Sequence, residues 1–256
     1  MKNRKDKIAY IETNYLGTSA TVLEIGPSIN PMLTGQGSYS VEYLDACSTE
    51  ELRERAVQMG RDIDCAPSIK HLHDFNQSVA HCVGHKTFDF VVSSHVIEHV
   101  PDLVGHFKEV REILNDGGKY AFLVPDKDLC FDAKKSNSSL GQIVEARLER
   151  RTVAPVSALI DEYYYGVKRA GSGAWSNKES APFTPKHVAS KELIMNVLKN
   201  PMIAEQWHGH IWRFTPASFK EVFNELGKLG LVDLRLVEVV PTEHMEFIVI
   251  LDAVES

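Results

Sequence analysis

This sequence predicts an open α/β fold: a mostly parallel sheet covered by helices and completed by an antiparallel hairpin. Three observations lead there. Short apolar, β-rich runs alternate with helical stretches through the first half of the chain. Runs such as FDFVVSS at 88–94 and KYAFLV at 119–124 are nearly continuous in apolar residues, as in strands buried on both faces of a parallel sheet. Near the end, 231–240 and 245–252 read as strands joined by the tight PTEH connection, which is short enough to demand an antiparallel pair.

In chain order, TVLEI at 21–25 is the first strand and stops at Gly26-Pro27. SVEYL at 40–44 is the second and stops at Asp45. The link between them is near the minimum for a parallel crossover, so a short or irregular connection is expected. Residues 49–59 are helical in composition and end at Gly60. SIKHLH at 68–73 is a weaker strand before Asp74-Phe75. After 88–94, Pro101 sits where a first helical residue would. Leu103, Val104, Phe107, Val110, Ile113 and Leu114 then recur at helical spacing, and Gly117-Gly118 is the expected stop. Residues 127–213 break the rhythm. They read as helices near 139–151, 155–168 and 187–199, with a Gly/Ser-rich loop at 170–180 and no convincing strand. Thr215-Pro216 is an N-cap and N1 pair, opening a helix striped by Phe219, Val222, Phe223, Leu226 and Leu229. The division is therefore a core of 1–126 and 214–256 with a helical insert at 127–213, expected as a lid over the carboxyl edge of the sheet.

Composition excludes several classes. The chain has 256 residues, 43% hydrophobic and 25% charged, which suits a soluble globular domain and not a disordered one. A net charge of −7 argues against a general grip on nucleic acid. No apolar run approaches a membrane span, and the opening MKNRKDKIAYIETNYLG lacks the apolar core of a secretory signal. Cys47, Cys65, Cys82 and Cys130 form neither a CxxC clamp nor a disulfide framework. Reduced thiols and a cytoplasmic location are the expectation.

Three strand ends carry acids. In VLEIGP, Gly26 permits close backbone approach and Glu24 sets a carboxylate beside it. Asp45 ends the second strand, where a carboxylate can hold both hydroxyls of a ribose. Asp74, with Phe75, follows the third, although Asp62 and Asp64 rival it. HVIEH at 95–99 also fits an inverted zinc-peptidase motif, but Pro101 forbids the helix that would place both histidines on one face. His71, His73, His81 and His85 read as surface or packing residues. Tyr163–Tyr165 and Trp175 read as packing within the insert.

The series LEIGP, VEYLD, FDFVVSSHVIEHVPD and LNDGGKYAFLVPD resembles the core of class I S-adenosylmethionine-dependent methyltransferases, in the branch whose fourth strand runs into an EH motif. The resemblance covers about residues 20–126, and the final helix and hairpin fit the same fold. It implies a Rossmann-like seven-stranded sheet with an antiparallel last strand, and S-adenosylmethionine as cofactor. It places Glu24, Gly26 and Pro27 at the methionine part, Asp45 at the ribose, Asp74 and Phe75 at the adenine, and Ser94 and His95 beside the sulfonium. One departure is Ser28, where the family's first loop usually has another glycine. Glu98 and Trp212 are expected in an acceptor pocket, with His99 and His210 as candidate proton acceptors. Similar metal-dependent relatives carry ExxEH and a later histidine. That would make His95, Glu98, His99 and His210 a ligand set here, though with His95 replacing a hard oxygen donor. The expected acceptor is a hydroxyl of a small metabolite, sugar or glycan. The alternatives are metal-assisted RNA 2′-O-methylation and a non-catalytic binding protein on the same fold.

Overall fold

The computed structural model describes residues 1, 3–35, 38–74, 76–187 and 191–254. The strands are β1 (Thr21–Ile25), β2 (Ser40–Asp45), β3 (His71–Leu72), β4 (Phe88–Ser94), β5 (Leu114–Pro125), β6 (Val167–Arg169), β7 (Phe183–Pro185), β8 (Leu234–Val240) and β9 (Glu246–Ala253). Seven of them form one sheet in the order β3-β2-β1-β4-β5-β9-β8. Strands β1 to β5 run parallel, and β9 lies antiparallel to both β5 and β8. This is the Rossmann-like sheet expected from the sequence. The strand order reverses between β1 and β4, which makes the carboxyl edge there the natural ligand crevice.

The helices are α1 (Arg4–Tyr15), α2 (Thr49–Gln58), α3 (Val79–Cys82), α4 (Leu103–Glu112), α5 (Leu140–Leu148), α6 (Val156–Tyr165), α7 (Lys191–Lys199) and α8 (Pro216–Lys228). Alternate strand residues feed two separate cores. Leu23, Val91, Phe122 and Phe247 pack with Phe107 of α4 and Phe219 of α8. Val22, Phe90, Val92 and Ile248 pack with Ile11 of α1 on the other face. Both faces being covered explains why these strands read as apolar runs rather than as alternating ones.

Several expectations need correction. Helix α1 was not anticipated, because its inward face carries Lys7 as well as Ile11 and so lacks a clean apolar stripe. The third strand is only His71–Leu72. The fourth helix begins at Leu103 behind the N-cap Asp102, so Pro101 precedes it and does not open it. Gly117-Gly118 lies inside β5, and the helix has already ended at Glu112. The insert, expected to lack strands, contains the small β6–β7 hairpin. Thr215 does cap α8, with Pro216 in its first turn. Between β1 and β2 the described residues form turns and no helix.

Residues 127–213 leave and rejoin the sheet at one place. Asp126 and Phe214 form a parallel bridge, and the Lys127 N–H donates to the Phe214 carbonyl at 2.8 Å. That junction is at the carboxyl end of β5. Pro125 also pairs there with Glu246, the first residue of the antiparallel β9. No helix among the described residues is long and apolar enough to cross a membrane.

Candidate active site

Strand β1 ends at Ile25, and Gly26 turns the chain with φ +67° while its N–H donates to the Leu44 carbonyl at 2.8 Å. A Cβ on Gly26 would stand 2.8 Å from Val96 Cγ2, so the position needs glycine for space as well as conformation. Pro27 is buried. Ser28 adopts φ +49°, a left-handed conformation that glycine would take with less strain. The loop keeps the glycine-like path without that glycine because two acids hold it. Asp45 Oδ2 accepts from the Ser28 N–H at 2.9 Å. Glu24 accepts from the N–H groups of Met32 at 2.7 Å and Leu33 at 3.1 Å. Glu24 therefore shapes the loop from beneath and is fully buried. That burial, only partly offset by the two backbone N–H donors, pushes its pKa up to about 7.

Asp45 also accepts from the Cys47 N–H at 3.0 Å through Oδ1. Each of its oxygens retains a lone pair, enough for two vicinal hydroxyls. Asp74 is exposed, and its side chain accepts from the backbone and side chain of Asn76 in a local turn. Phe75 lies outside the described residues.

At the end of β4, Ser94 Oγ accepts from Arg4 Nη1 at 3.2 Å. His95 takes φ +56°, and its ring lies between two carboxylates, Nδ1 at 3.1 Å from Glu98 and Nε2 at 2.5 Å from Glu246. Burial disfavours its charge, but the hydrogen bonds to Glu246 and Glu98 prevail and raise its pKa to about 9. Both ring nitrogens are thus committed, and a positive imidazolium has no attraction for a sulfonium. Lys7 of α1 completes this group, 2.7 Å from Glu246.

His99 and His210 come together, their ring centroids 5.0 Å apart. His99 Nδ1 lies 3.1 Å from the Gly209 carbonyl, which can only accept, so Nδ1 carries the proton and Nε2 keeps its lone pair. His210 Nδ1 lies 2.6 Å from Asp132 Oδ2 and is oriented the same way. Both Nε2 atoms face Glu98 Oε1, at 3.9 and 4.0 Å. Glu98 is completely buried, and its Oε2 has no hydrogen-bond partner among the described residues. Burial alone would raise the Glu98 carboxyl, but His95 and the other two histidines hold it below the usual carboxylate range. Glu98 thus organises the histidines from beneath. Burial pushes the His99 imidazole down, keeping it neutral near pH 7, and its side chain is the most exposed of the group at 38%. Trp212 belongs to the hydrophobic core, and its indole N–H donates to the Val100 carbonyl at 2.6 Å, so it buttresses the EH turn instead of lining an open pocket.

The sequence reading missed Arg4, Lys7, Asp132, Lys135 and Glu246. Asp132 and Lys135 sit in DLCFDAKK, where nothing in composition separates a buried charge from a surface one. In the fold, Lys135 Nζ lies 2.5 Å from Asp132 and pairs with Glu162 of α6, which also holds Lys186 at 2.5 Å.

The chain belongs to the methyltransferase-domain family, whose model matches residues 3–228. As a member of that family it is a class I S-adenosylmethionine-dependent methyltransferase. Its fold is similar to that of the CcbJ methyltransferase from Streptomyces caelestis, at 11% identity over 99% of this chain and 91% of that one, with a TM-score of 0.50. A S-adenosylmethionine-dependent methyltransferase from Clostridium acetobutylicum aligns at 10% identity over 98% and 91%, with a TM-score of 0.49. TehB from Haemophilus influenzae aligns at 12% over 98% of this chain and 62% of its own length, with a TM-score of 0.45. No curated protein matches the sequence.

The residues at the carboxyl edge fit the methyl donor. Asp45 has lone pairs left for a diol, the Gly26 turn has no side chain, and Arg4, whose buried Nε has no hydrogen-bond partner among the described residues, reaches Ser94 and Asn30 beside the turn. Asp45→Ala is expected to weaken S-adenosylhomocysteine binding by about 2–3 kcal/mol, as two charge-assisted hydrogen bonds disappear. Calorimetry showing unchanged affinity in a folded variant would remove Asp45 from that role.

Proposed function

We propose that this methyltransferase acts on a hydroxyl of a small metabolite, sugar or glycan, with His99 as general base. The observation that carries the reading is the His99 tautomer: Nδ1–H rests on the Gly209 carbonyl, leaving a neutral, partly exposed Nε2. The bound donor supplies an electrophilic methyl. The acceptor oxygen would take that methyl in line as its bond to sulfur breaks and S-adenosylhomocysteine leaves, while the hydroxyl proton would pass to His99 Nε2, giving a methyl ether. His210, oriented by Asp132, borders the same space. The segment 127–213 contributes Asp132, Gly209 and His210, which supports reading it as the part that selects the acceptor. The negative net charge favours an acceptor other than nucleic acid. Four free cysteines fit a reducing, cytoplasmic setting.

A second reading has a specific observation in its favour. Ligand atoms of Glu98, His99 and His210 lie within 4.8 Å of one another, and a carboxylate with two imidazole lone pairs is a donor set for a transition-metal ion. Cys130, Asp132 and His210 are equally close but less apt, since burial pushes the Cys130 thiol well up and Lys135 already holds Asp132.

The readings separate in one assay of S-adenosylhomocysteine release over a panel of hydroxyl acceptors. A base predicts turnover that withstands a chelator and falls as pH drops below the imidazole range, because His99 must be unprotonated to accept. Loss of turnover with chelator, restored by zinc, manganese or nickel, would replace the base with a metal.

A further inference from the structure

Helix α1 lays one face across the carboxyl edge of the sheet. Arg4, Lys7 and Ile11 fall on that face, three and four residues apart. Ile11 enters the core, and Lys7 is neutralised by Glu246. Arg4 reaches the switch point between β1 and β4. Its Nη2 donates to the Asn30 carbonyl in the first loop at 2.7 Å, and its Nη1 donates to Ser94 Oγ at the end of β4. Its Nε is screened from solvent and has no hydrogen-bond partner among the described residues. No carboxylate lies in ion-pair contact with it among those residues. Glu24 is close enough only for the guanidinium to act through space, drawing the buried carboxyl downward.

A guanidinium held by two neutral oxygens, with a donor left over, is a receptor for a planar anion. S-adenosylmethionine carries one such anion, the α-carboxylate of its methionine end. Asp45 marks the ribose at β2, and His99 marks the methyl beyond β4. The amino-acid end therefore belongs at the β1–β4 side, over Gly26 and Ser94. The other cations at this edge are engaged: Lys7 and His95 by carboxylates, and Lys127 by Asp128. Among the described residues, Arg55, which touches Ser28 Oγ at 3.4 Å from α2, is the rival near the loop.

We propose that Arg4 binds the α-carboxylate of the methyl donor, so that helix α1 is part of the cofactor site. The inference rests on S-adenosylmethionine being the donor. Isothermal titration of the full chain with S-adenosylhomocysteine and with 5′-methylthioadenosine, which lacks the amino-acid end, tests it. Arg4→Ala is expected to weaken S-adenosylhomocysteine about 10- to 100-fold, the scale of a hydrogen-bonded ion pair, and to change 5′-methylthioadenosine less than about twofold. Arg4→Lys should restore part of the loss. Unchanged 5′-methylthioadenosine binding also certifies that the variant is folded. Equal losses for both ligands, no loss for either, or the same selective loss in Arg55→Ala would overturn the assignment. If the unsubstituted chain bound neither ligand, the donor itself would be wrong, an outcome distinct from tight, carboxylate-blind binding in Arg4→Ala.

Discussion

Lys135→Met is expected to destabilise the fold by about 3–5 kcal/mol, the usual penalty for stripping one partner from a buried ion pair. The Lys135 side chain is fully buried between Asp132 and Glu162, and both acids are buried as well. Methionine fills the volume but removes the cation the two buried carboxylates share, leaving Asp132 only to His210 and Glu162 only to Lys186 and His187. Burial alone would raise the Asp132 carboxyl, but His210 and then Lys135 hold it at about 2. Its native pKa is thus below the unfolded value, so its contribution to stability is present above about pH 4 and fades as pH falls toward 2. In the variant both carboxyls should take up protons at higher pH, which relieves their burial. Urea unfolding should therefore show a deficit that is large at pH 7 and smaller at pH 5. Adding Glu162→Gln should recover part of it. A deficit below about 1 kcal/mol at pH 7 would mean that water reaches the group and that the ion pairs are not sealed.

His99→Ala is expected to slow methyl transfer by about 10²- to 10⁴-fold, the range for losing a positioned general base. S-adenosylhomocysteine affinity should stay the same, because no cofactor-facing group is altered. The two enzymes should also differ in shape with pH. The unsubstituted protein should level off once His99 is neutral. The variant, relying on hydroxide, should keep rising about tenfold per pH unit. A variant within fivefold of the parent on an acceptor both can use would remove His99 from the proton transfer and leave His210 as the candidate.

The comparison of sequence with structure is uneven in an instructive way. Strands β1, β4 and β9 were legible because a strand buried on both faces is apolar at most of its positions, whatever surrounds it. Gly26 was legible because only glycine fits against Val96 with that φ, and Asp45 because an acid ending an apolar strand is conspicuous. The convergence of His99 with His210 could be anticipated from topology, since β4 ends and α8 begins at the same edge of the sheet. Helix α1 could not be read in this way. Its inner face pairs Lys7 with Glu246, which is 239 residues distant, and a charge destined for a buried partner looks like any surface charge.

The same limit applies to the chemistry. Which acids face ligand and which face protein depends on partners brought together only by folding. Glu24 turned under its loop because the Met32 and Leu33 N–H groups were there to receive it. His95 became a cation between Glu98 and Glu246, whereas His99, four residues on, stayed neutral on a carbonyl. Local pattern determined the strands, the Gly26 turn and the acids at the strand ends, because burial and backbone conformation act on each residue where it stands, and the resemblance of those segments to methyltransferases implied the reaction class. The protonation states, the Asp132–Lys135–Glu162 support and the place of Arg4 were decided by the tertiary structure alone, because an electrostatic environment is the sum of groups that the chain separates by up to its whole length.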